Sequence, residues 1–584
     1  MQQSHSESTS DFLPGRIAPT TSGTTNTLPT YTRPLSDNEQ SYFLQSRATG
    51  ANDMILEIGF KAPAVLVTLS RMALAWAILR VQHPMLASRI EMKPRDYHSC
   101  RWIYTPPSSP GAALLEAEPC IQFKWRTEDD IIGSGSDGDR RLSADMQACA
   151  VLLAHAGDIQ PIREYRLIIN YAHCHIDGIA AHMVTNAFFC LMGGSSVVGQ
   201  PPRSDRELEV LLETEWAKRW SPEVVGTVGI RENSVIPVPA EVRLPQLSGK
   251  WQIAAAKVEN SAAQKRIIGG HAFPRKSAPA AKGVSRMMLY SAEDTKTILG
   301  NCRANRVTFS NTVFALCNIA WIRIMRHRPE YNPKLPIMMY SAVNLRHLFS
   351  SMEDMWQPSA LHPPFAQLES FVFLAVSYFN AVLPGFLPPP ERMSEAAVMW
   401  HRARSAREQL LRYSGTPMFV PRVHSITMER GERARRFAKE DDEVLLGAQH
   451  EKPSSVPAVQ ATPQRPSPAP STVSALISTV TLPPAPSVAL IGLSQTGNLD
   501  QFYDARMYPS FDISYLHCHT RKNKGGMLLF AHTFRGRLAL QFSWDEAGFA
   551  PGVVEAFWDT LNGCLREFML ETPGNRAGAV KVKL

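Results

Sequence analysis

Residues 165–192 constrain the fold of this chain most strongly, because an apolar strand there leads directly into a helix. Alternate residues of the segment share one face, which is typical of a buried strand; they are Tyr165, Leu167, Ile169, Tyr171 and His173. A helix is predicted from about Ile179 to Met192. The residues from His173 to Gly178 therefore mark a junction between a strand and a helix.

The junction carries the pattern H-x-x-x-D-G, formed by His173, Asp177 and Gly178. A histidine at a strand terminus has an ordinary pKa near ~6.5, which suits removal of a proton from a hydroxyl at neutral pH. The aspartate is placed to hold the turn by accepting hydrogen bonds from backbone or arginine groups. Glycine allows a turn or the close approach of another backbone. The pattern alone also fits a satisfied core histidine followed by an aspartate that only caps a helix.

Other elements are predicted from periodicity, caps and turns. A helix in residues 64–90 should end at His83-Pro84, because proline cannot donate a backbone hydrogen bond. Ser204 and Glu207 form a capping box, and Ser291 is placed to cap a further helix. The remaining predictions are buried or amphipathic helices over 311–324 and 553–570, strands over 285–290 and 337–341, and a hairpin of 526–534 with 537–544.

Composition divides the chain into two large halves. Residues 1–34 are polar and predict a disordered tail, and 35–245 form the half that carries the H-x-x-x-D-G pattern. Residues 246–284 are small, polar and basic and predict a crossover linker to a second half, 285–584. Nine prolines among residues 453–487 predict a disordered insertion, at 450–487, within that second half.

Charge and composition exclude several classes of protein. The chain has 584 residues, 44% hydrophobic and 20% charged, which is enough apolar material for a sizeable core. Its net charge of +8 is scattered, so we expect anionic small ligands and no nucleic-acid partner. The longest apolar stretch, near residues 65–81, is too interrupted for a membrane span. Nine cysteines without paired spacing favour an intracellular, cytoplasmic protein. The ending Val582-Lys583-Leu584 is a weak likeness to a peroxisomal address and leaves that location open.

The order of motifs along the chain resembles the chloramphenicol-acetyltransferase-like superfamily, which includes the BAHD acyltransferases and the condensation domains of peptide synthetases. Within it the likeness to fungal trichothecene 15-O-acetyltransferases is strongest, over roughly residues 35–580 apart from the insertion. The segments that carry the resemblance are Val81–Leu86, His173–Gly178, Arg306–Asn311, Tyr340–Arg346, Ser377–Asn380 and Gly492–Asn498.

The resemblance implies an α/β (α+β) fold of two pseudo-equivalent domains, each a mixed sheet flanked by helices, with a tunnel at their interface. It implies a monomeric acyl-CoA-dependent O-acyltransferase with no bound cofactor or metal, in which acyl-CoA, such as acetyl-CoA, is a co-substrate. His173 would be the general base, and Asp177 would pair with an arginine, for which Arg346 is the candidate. Ser494 or Asn498 would donate to the oxyanion. The acceptor would be a hydroxyl of a fungal-type secondary metabolite or a glycolipid.

Departures from the family patterns keep alternatives open. Ala172 occupies the first position of the tandem histidine found in condensation domains, and no carrier-protein segment accompanies the chain, which favours soluble CoA thioesters. An amide- or ester-forming enzyme that uses carrier-protein thioesters is one alternative, and an inactive binding homologue is another. The repeated triplet His-Cys-His, at 173–175 and 517–519, also permits a zinc site if the two triplets meet. A Cys174-His173 nucleophile is disfavoured, because neighbours on a strand point to opposite faces.

Overall fold

The structure is a computed structural model. It describes residues 29–126, 140–155, 157–195, 200–221, 235–247, 249–278, 280–349, 370–450 and 487–571. The predicted insertion falls almost wholly outside these residues, as do the first 28 residues and Val582–Leu584.

The amino-terminal half contains a five-stranded mixed sheet and a small three-stranded antiparallel sheet. The five-stranded sheet has the order β13-β2-β7-β6-β5, with only β5 and β6 parallel. The small sheet has the order β1-β4-β3. The strands of the two sheets are β1 Tyr31–Pro34, β2 Met54–Pro63, β3 Arg89–Glu91, β4 Arg101–Tyr104, β5 Ile121–Arg126, β6 Ala148–His155, β7 Ile162–Tyr171 and, from the far end of the chain, β13 Asp512–Thr520.

The carboxy-terminal half is built on a seven-stranded mixed sheet. Its main order is β11-β10-β12-β14-β15-β9, and β8 pairs with β12 beside it. The pairs β10–β12 and β12–β14 are parallel, and the others along this order are antiparallel. The strands are β8 Gly269–Gly270, β9 Gly283–Leu289, β10 Ile337–Asn344, β11 Val376–Leu383, β12 Ser487–Asn498, β14 Met527–Phe534 and β15 Arg537–Asp545.

Helices pack against the two large sheets. Among the described residues they are α1 Asp37–Ser46, α2 Leu69–Gln82, α3 Pro110–Ala117, α4 Gly178–Gly193, α5 Asp205–Trp220, α6 Ala240–Arg243, α7 Lys250–Gln264, α8 Ala292–Ala304, α9 Phe309–Met325, α10 Glu395–Ser414, α11 Phe419–His450 and α12 Val553–Met569. The predicted caps at Ser204 and Ser291 are present, and α2 ends one residue before His83-Pro84. The hairpin β14–β15 turns at Arg535 and Gly536, both with positive φ (51° and 68°), as its two-residue loop requires.

Two large hydrophobic cores, and a small cluster of Ile55, Val151, Leu153 and Ile168, stabilise the described part of the molecule. One packs β2 and β7 against α2 and α4, and it also takes in Phe371–Ala375 and Phe530 from the second half. The other packs β10, β12 and β15 against α9 and α12. Because the first core draws side chains from both halves, burial of apolar surface holds the two halves together.

The predicted division of the chain differs from the structure at three places. The tail prediction ran to residue 34, but Tyr31–Pro34 forms β1, where Arg33 pairs with buried Glu39. The predicted linker contains α7, a helix of 15 residues that contacts α11. The strand β13 belongs by sequence to the second half but completes the sheet of the first, because it pairs along its whole length with β2.

Among the described residues, no single helix is long and apolar enough to cross a membrane. The helices α8 and α9 together are long and apolar enough, but the angle between them is 93°. Most of α9 is buried in the second core, which accounts for its apolar composition.

Candidate active site

His173 lies in the turn between β7 and α4. The strand ends at Tyr171, two residues earlier than the sequence predicts, so His173 does not stand on the strand face. Its Nδ1 is 3.1 Å from the carbonyl oxygen of Ile176. Because a carbonyl only accepts hydrogen bonds, Nδ1 carries the proton in the neutral ring, and Nε2 keeps its lone pair.

The surroundings of His173 favour the neutral imidazole. Burial lowers the pKa of His173, and the nearby positive charge of Arg430 acts in the same direction. The ring stacks on Tyr42 with a centroid distance of 4.2 Å and an interplanar angle of 26°. The side chain is only half-buried, and Nε2 makes no hydrogen bond to the described residues. The ring is thus held in position with its basic nitrogen available.

Asp177 is fully engaged in holding this turn. It is the N-cap of α4, and its Oδ1 accepts hydrogen bonds from the backbone N–H groups of Ile179 and Ala180, both at 3.1 Å. Its Oδ2 accepts from the backbone N–H of Ala375 at 2.8 Å and from the guanidinium of Arg346. With both oxygens committed in this way, Asp177 positions the turn and is not the partner of the His173 ring.

Arg346 joins the two halves at Asp177. Arg346 comes just after β10. Its side chain is 3% exposed, and the side chain of Asp177 is 1% exposed. The guanidinium of Arg346 also donates to the carbonyl oxygen of Phe373 at 2.7 Å. The guanidinium carbon lies 5.0 Å from the centroid of the Phe373 ring. The structure therefore brings Asp177 and Arg346 together, as the resemblance implies, across a buried contact between the halves.

Gly178 is the first residue of α4, and its role differs from the expectation. Its φ is not positive, and a Cβ added there would meet only the methyl group of Thr496, at 3.7 Å. Neither a tight turn nor a close backbone approach therefore requires glycine here. The contact does show that β12 passes beside the start of α4.

The two oxyanion candidates occupy different environments on β12. Ser494 is half-buried and follows Gly492, where an added Cβ would meet the ring of Tyr340 at 2.4 Å. Asn498 is exposed, and its Oδ1 accepts from the N–H of Asp500 at 3.1 Å, so it caps a turn. A bulge with φ +77° at Gly497 separates the two candidates and breaks the alternation of the strand.

Sequence reasoning missed part of the wall around His173. The hydroxyls of Tyr42, from α1, and Tyr378, from β11, are hydrogen-bonded to each other. The guanidinium carbon of Arg430, from α11, lies 4.2 Å from the ring centroid of Tyr378 and 5.4 Å from that of Tyr42. Tyr378 and Thr496 lie in two of the segments that carry the family resemblance, but the sequence analysis assigned no role to either. Tyr42 and Arg430 come from separate elements, and nothing in their local sequence indicates that they meet beside His173.

The two His-Cys-His triplets do not form a metal centre with each other. His517 faces Glu57 at 3.6 Å and stacks on Tyr515, while the Sγ of Cys518 is 3.5 Å from His182. Within the described part of the chain, no three His, Cys, Asp or Glu side chains are grouped so that they could hold a metal ion.

Cys174 lies behind the turn and does not serve the histidine. Its Sγ is 3.6 Å from the amide oxygen of Gln147, and the residue is buried. Burial raises the pKa of Cys174 well above its ordinary value, so the thiol form dominates. Cys174 therefore belongs to the first hydrophobic core, where its thiol is unreactive.

Comparison with known proteins establishes the fold. No family model and no curated protein matches the sequence. Among solved structures, a trichothecene 15-O-acetyltransferase from Fusarium sporotrichioides matches with a TM-score of 0.64 and 12% identity, covering 96% of this chain and 99% of that one. A cyclization-docking bidomain of a nonribosomal peptide synthetase from Sorangium cellulosum matches with a TM-score of 0.50 and 11% identity, covering 93% of this chain and 86% of that one.

A four-domain nonribosomal peptide synthetase bound to AMP and glycine also matches, with a TM-score of 0.50 and 11% identity, over 95% of this chain and 34% of the larger protein. These likenesses have one fold in common. The chain has the mixed α/β, two-domain chloramphenicol-acetyltransferase-like fold, as the sequence analysis expected. At 11–12% identity the likeness concerns the fold alone, and the chemistry has to be argued from the site.

Proposed function

We propose that this protein is an acyltransferase that moves a short acyl group, such as acetyl, from coenzyme A to a hydroxyl of a small molecule. The observation that carries the proposal is the His173 ring, which donates from Nδ1 to Ile176 and leaves Nε2 unbonded among the described residues. Stacking on Tyr42 holds this ring in place. A neutral, oriented imidazole with an available nitrogen is what a general base needs.

The acyl group is proposed to move directly from one bound substrate to the other, without becoming attached to the protein. Nε2 of His173 removes the hydroxyl proton while the oxygen attacks the thioester carbonyl carbon. The tetrahedral intermediate then collapses, the carbon–sulfur bond breaks, and the imidazolium returns its proton to the departing thiolate. A donor near the carbonyl oxygen is worth about 100–1,000-fold in rate, and half-buried Ser494 on β12 is our first candidate for that group. Asp177 and Arg346 act as positioning residues.

A second candidate has support from the likeness to parts of peptide synthetases at TM-scores of 0.50. In that case the donor would be a thioester on a carrier protein, and the product an amide or ester. The same His173 geometry would serve, so the form of the donor separates the two candidates. We favour free acyl-CoA because Ala172 stands where condensation domains carry the first histidine of their motif.

The test is to incubate the purified protein with a panel of acyl-CoAs and a library of alcohols. Released CoA and acylated product should be followed by mass spectrometry, since a thiol dye would also react with the nine free cysteines on unfolding. We expect CoA and ester in equal amounts and no acyl mass on the protein. A stable acyl-protein would contradict direct transfer, and turnover of carrier-bound thioesters alone would favour the second candidate.

A further inference from the structure

Arg430, on α11, is an interior arginine that has no carboxylate partner in the described residues. Arg33 and Arg346 are paired with Glu39 and Asp177. Arg402 also lacks an acid, but it donates to Asn318 and to the carbonyl oxygen of Phe386. Nη2 of Arg430 donates to the hydroxyl of Ser41 at 3.2 Å, and the hydroxyl of Tyr378 also interacts with the guanidinium. A cation that is removed from water without an opposite charge is costly, which makes such a residue a candidate for binding a ligand.

The guanidinium of Arg430 is only partly satisfied. Its Nε is buried and makes no hydrogen bond, whereas Nη1 is unbonded in the described structure and is not sealed from solvent. Burial by itself would lower the pKa of Arg430, but the hydroxyls of Tyr378, Tyr42 and Tyr340 raise it. The group therefore stays a full cation with a free donor.

The free donor of Arg430 lies close to the proposed base. The guanidinium carbon is 5.4 Å from the ring centroid of Tyr42, and the His173 ring is 4.2 Å from the same centroid. The two groups are thus less than about 10 Å apart, and the charge of Arg430 acts on the pKa of His173. Tyr42 and Tyr378, which are hydrogen-bonded to each other, form the wall beside them.

Arg430 also differs from the other arginines of its neighbourhood. On the same helix, Arg435 is bonded to Asp37 and Gln40, and Arg436 lies near Glu440. Arg402, on α10, donates to Asn318 and to the carbonyl oxygen of Phe386. Of these arginines, Arg430 is the one that contacts the rings of Tyr42 and Tyr378 beside His173.

We infer that Arg430 binds a carboxylate carried by one of the two substrates, at a subsite next to His173. The inference deepens the proposed function and rests on it. Guanidinium groups form strong charge-assisted hydrogen bonds with carboxylates, and Nη1 is the donor of Arg430 that is neither bonded to a described residue nor closed off from solvent. The carboxylate belongs either to the acyl group, as in a dicarboxylic monoacyl-CoA, or to the acceptor, as in a hydroxy acid.

The test measures binding, so that it does not depend on turnover. Titration calorimetry compares succinyl-CoA with butyryl-CoA, which have acyl chains of equal length, and a set of hydroxy acids with their methyl esters. We expect the wild-type protein to prefer the carboxylated member of one pair by about ten- to a hundredfold, the range for hydrogen bonds to charged groups. The pair that shows the preference identifies the substrate that carries the carboxylate.

Variants of Arg430 test whether this residue causes the preference for the carboxylated ligand. Arg430→Gln should remove the preference while it changes the binding of the uncharged member by less than about threefold, and Arg430→Lys should keep part of it. Arg436→Gln, an exposed arginine on the same helix, is the matched control and should behave as wild type. Thermal melting checks that each variant is folded.

Three results would overturn the inference: a wild-type protein without preference in either pair, a preference that survives in Arg430→Gln, or an equal loss for charged and uncharged members. The last would indicate that Arg430 only packs on the two tyrosine rings. If acyl transfer itself is absent but the carboxylate preference is present, the proposed function fails and the subsite stands.

Discussion

Two regions of this protein share the tripeptide His-Cys-His and differ in almost every other respect. At 173–175 the chain has left the sheet, so His173 lies in a turn with Nε2 unbonded among the described residues. At 517–519 the chain remains on β13, where His517 faces Glu57 at 3.6 Å. The comparison teaches that the backbone carrying a histidine decides whether its ring keeps an unbonded nitrogen, as at His173, or lies against a carboxylate, as at His517.

The two regions also differ in what holds them. The first is fixed by Asp177 and Arg346, a pair almost wholly excluded from solvent. The second is fixed by a network around Glu57 of β2, which accepts hydrogen bonds from Arg166 at 2.6 Å and from Tyr515 at 3.3 Å. Removing a residue from each region should therefore have effects of different size and kind.

The largest effect is expected from His173→Ala. Loss of a general base lowers turnover by about 100–10,000-fold. His517→Ala removes the same side chain from the second triplet and should leave turnover within about twofold of wild type. Steady-state rates of the acyl transfer, with circular dichroism as a check on folding, measure both. Equal losses in the two variants would remove the functional distinction between the triplets.

The next effect concerns the anchor of the first region. Asp177→Ala leaves the Arg346 guanidinium buried without its carboxylate, and breaking such a pair costs about 3–5 kcal/mol of unfolding free energy. Glu408→Ala removes the exposed partner of Arg412 and should cost less than about 0.5 kcal/mol. Urea unfolding measures both variants. A loss below about 1 kcal/mol for Asp177→Ala would show that water or a neighbour replaces the aspartate.

The smallest effect concerns Glu57 in the second region. Burial would raise the pKa of Glu57, but hydrogen bonds from His517 and Arg166 offset it and lower the pKa from 4.5 to about 2. The folded state therefore holds its proton less tightly than the unfolded state. The stabilisation is complete above pH 4.5 and is lost as the pH falls toward 2.

Glu57→Gln tests the direction of this pH dependence of stability. We expect the variant to lose about 1–3 kcal/mol of unfolding free energy at pH 7, with the difference from wild type shrinking as the pH falls below 4.5. Urea unfolding over a pH series measures the difference, and turnover should stay within about twofold. A difference that does not change with pH would mean that the glutamate acts through packing and not through its charge.

Much of the local structure was predictable, because it depends on neighbours in sequence. The cap of α5 at Ser204, the end of α2 before Pro84 and the turn at Arg535-Gly536 each follow from one or two residues. The Asp177–Arg346 contact was expected only through resemblance to a family. Nothing within a few residues of Asp177 indicates a partner that is 169 positions away.

The wall of the candidate site illustrates what could not be predicted. Tyr42, Tyr378 and Arg430 come from α1, β11 and α11, and no spacing along the chain indicates that they meet. Likewise the sequence analysis placed β13 in the second half, whereas it pairs with β2, a strand from near the start of the chain. Contacts of this kind are set by how sheets and helices pack, which has no periodic trace in the chain.

The sequence by itself determined several of the helices and strands and the position of the H-x-x-x-D-G junction, since hydrophobic period, caps and turns are properties of short segments. Only the tertiary structure decided that His173 keeps an unbonded nitrogen and that Arg430 lies beside it without an acid. Those outcomes depend on burial and on partners that lie far along the chain. The partner of a buried charge or lone pair is set by its neighbours in three dimensions, and spacing along the sequence does not identify that partner.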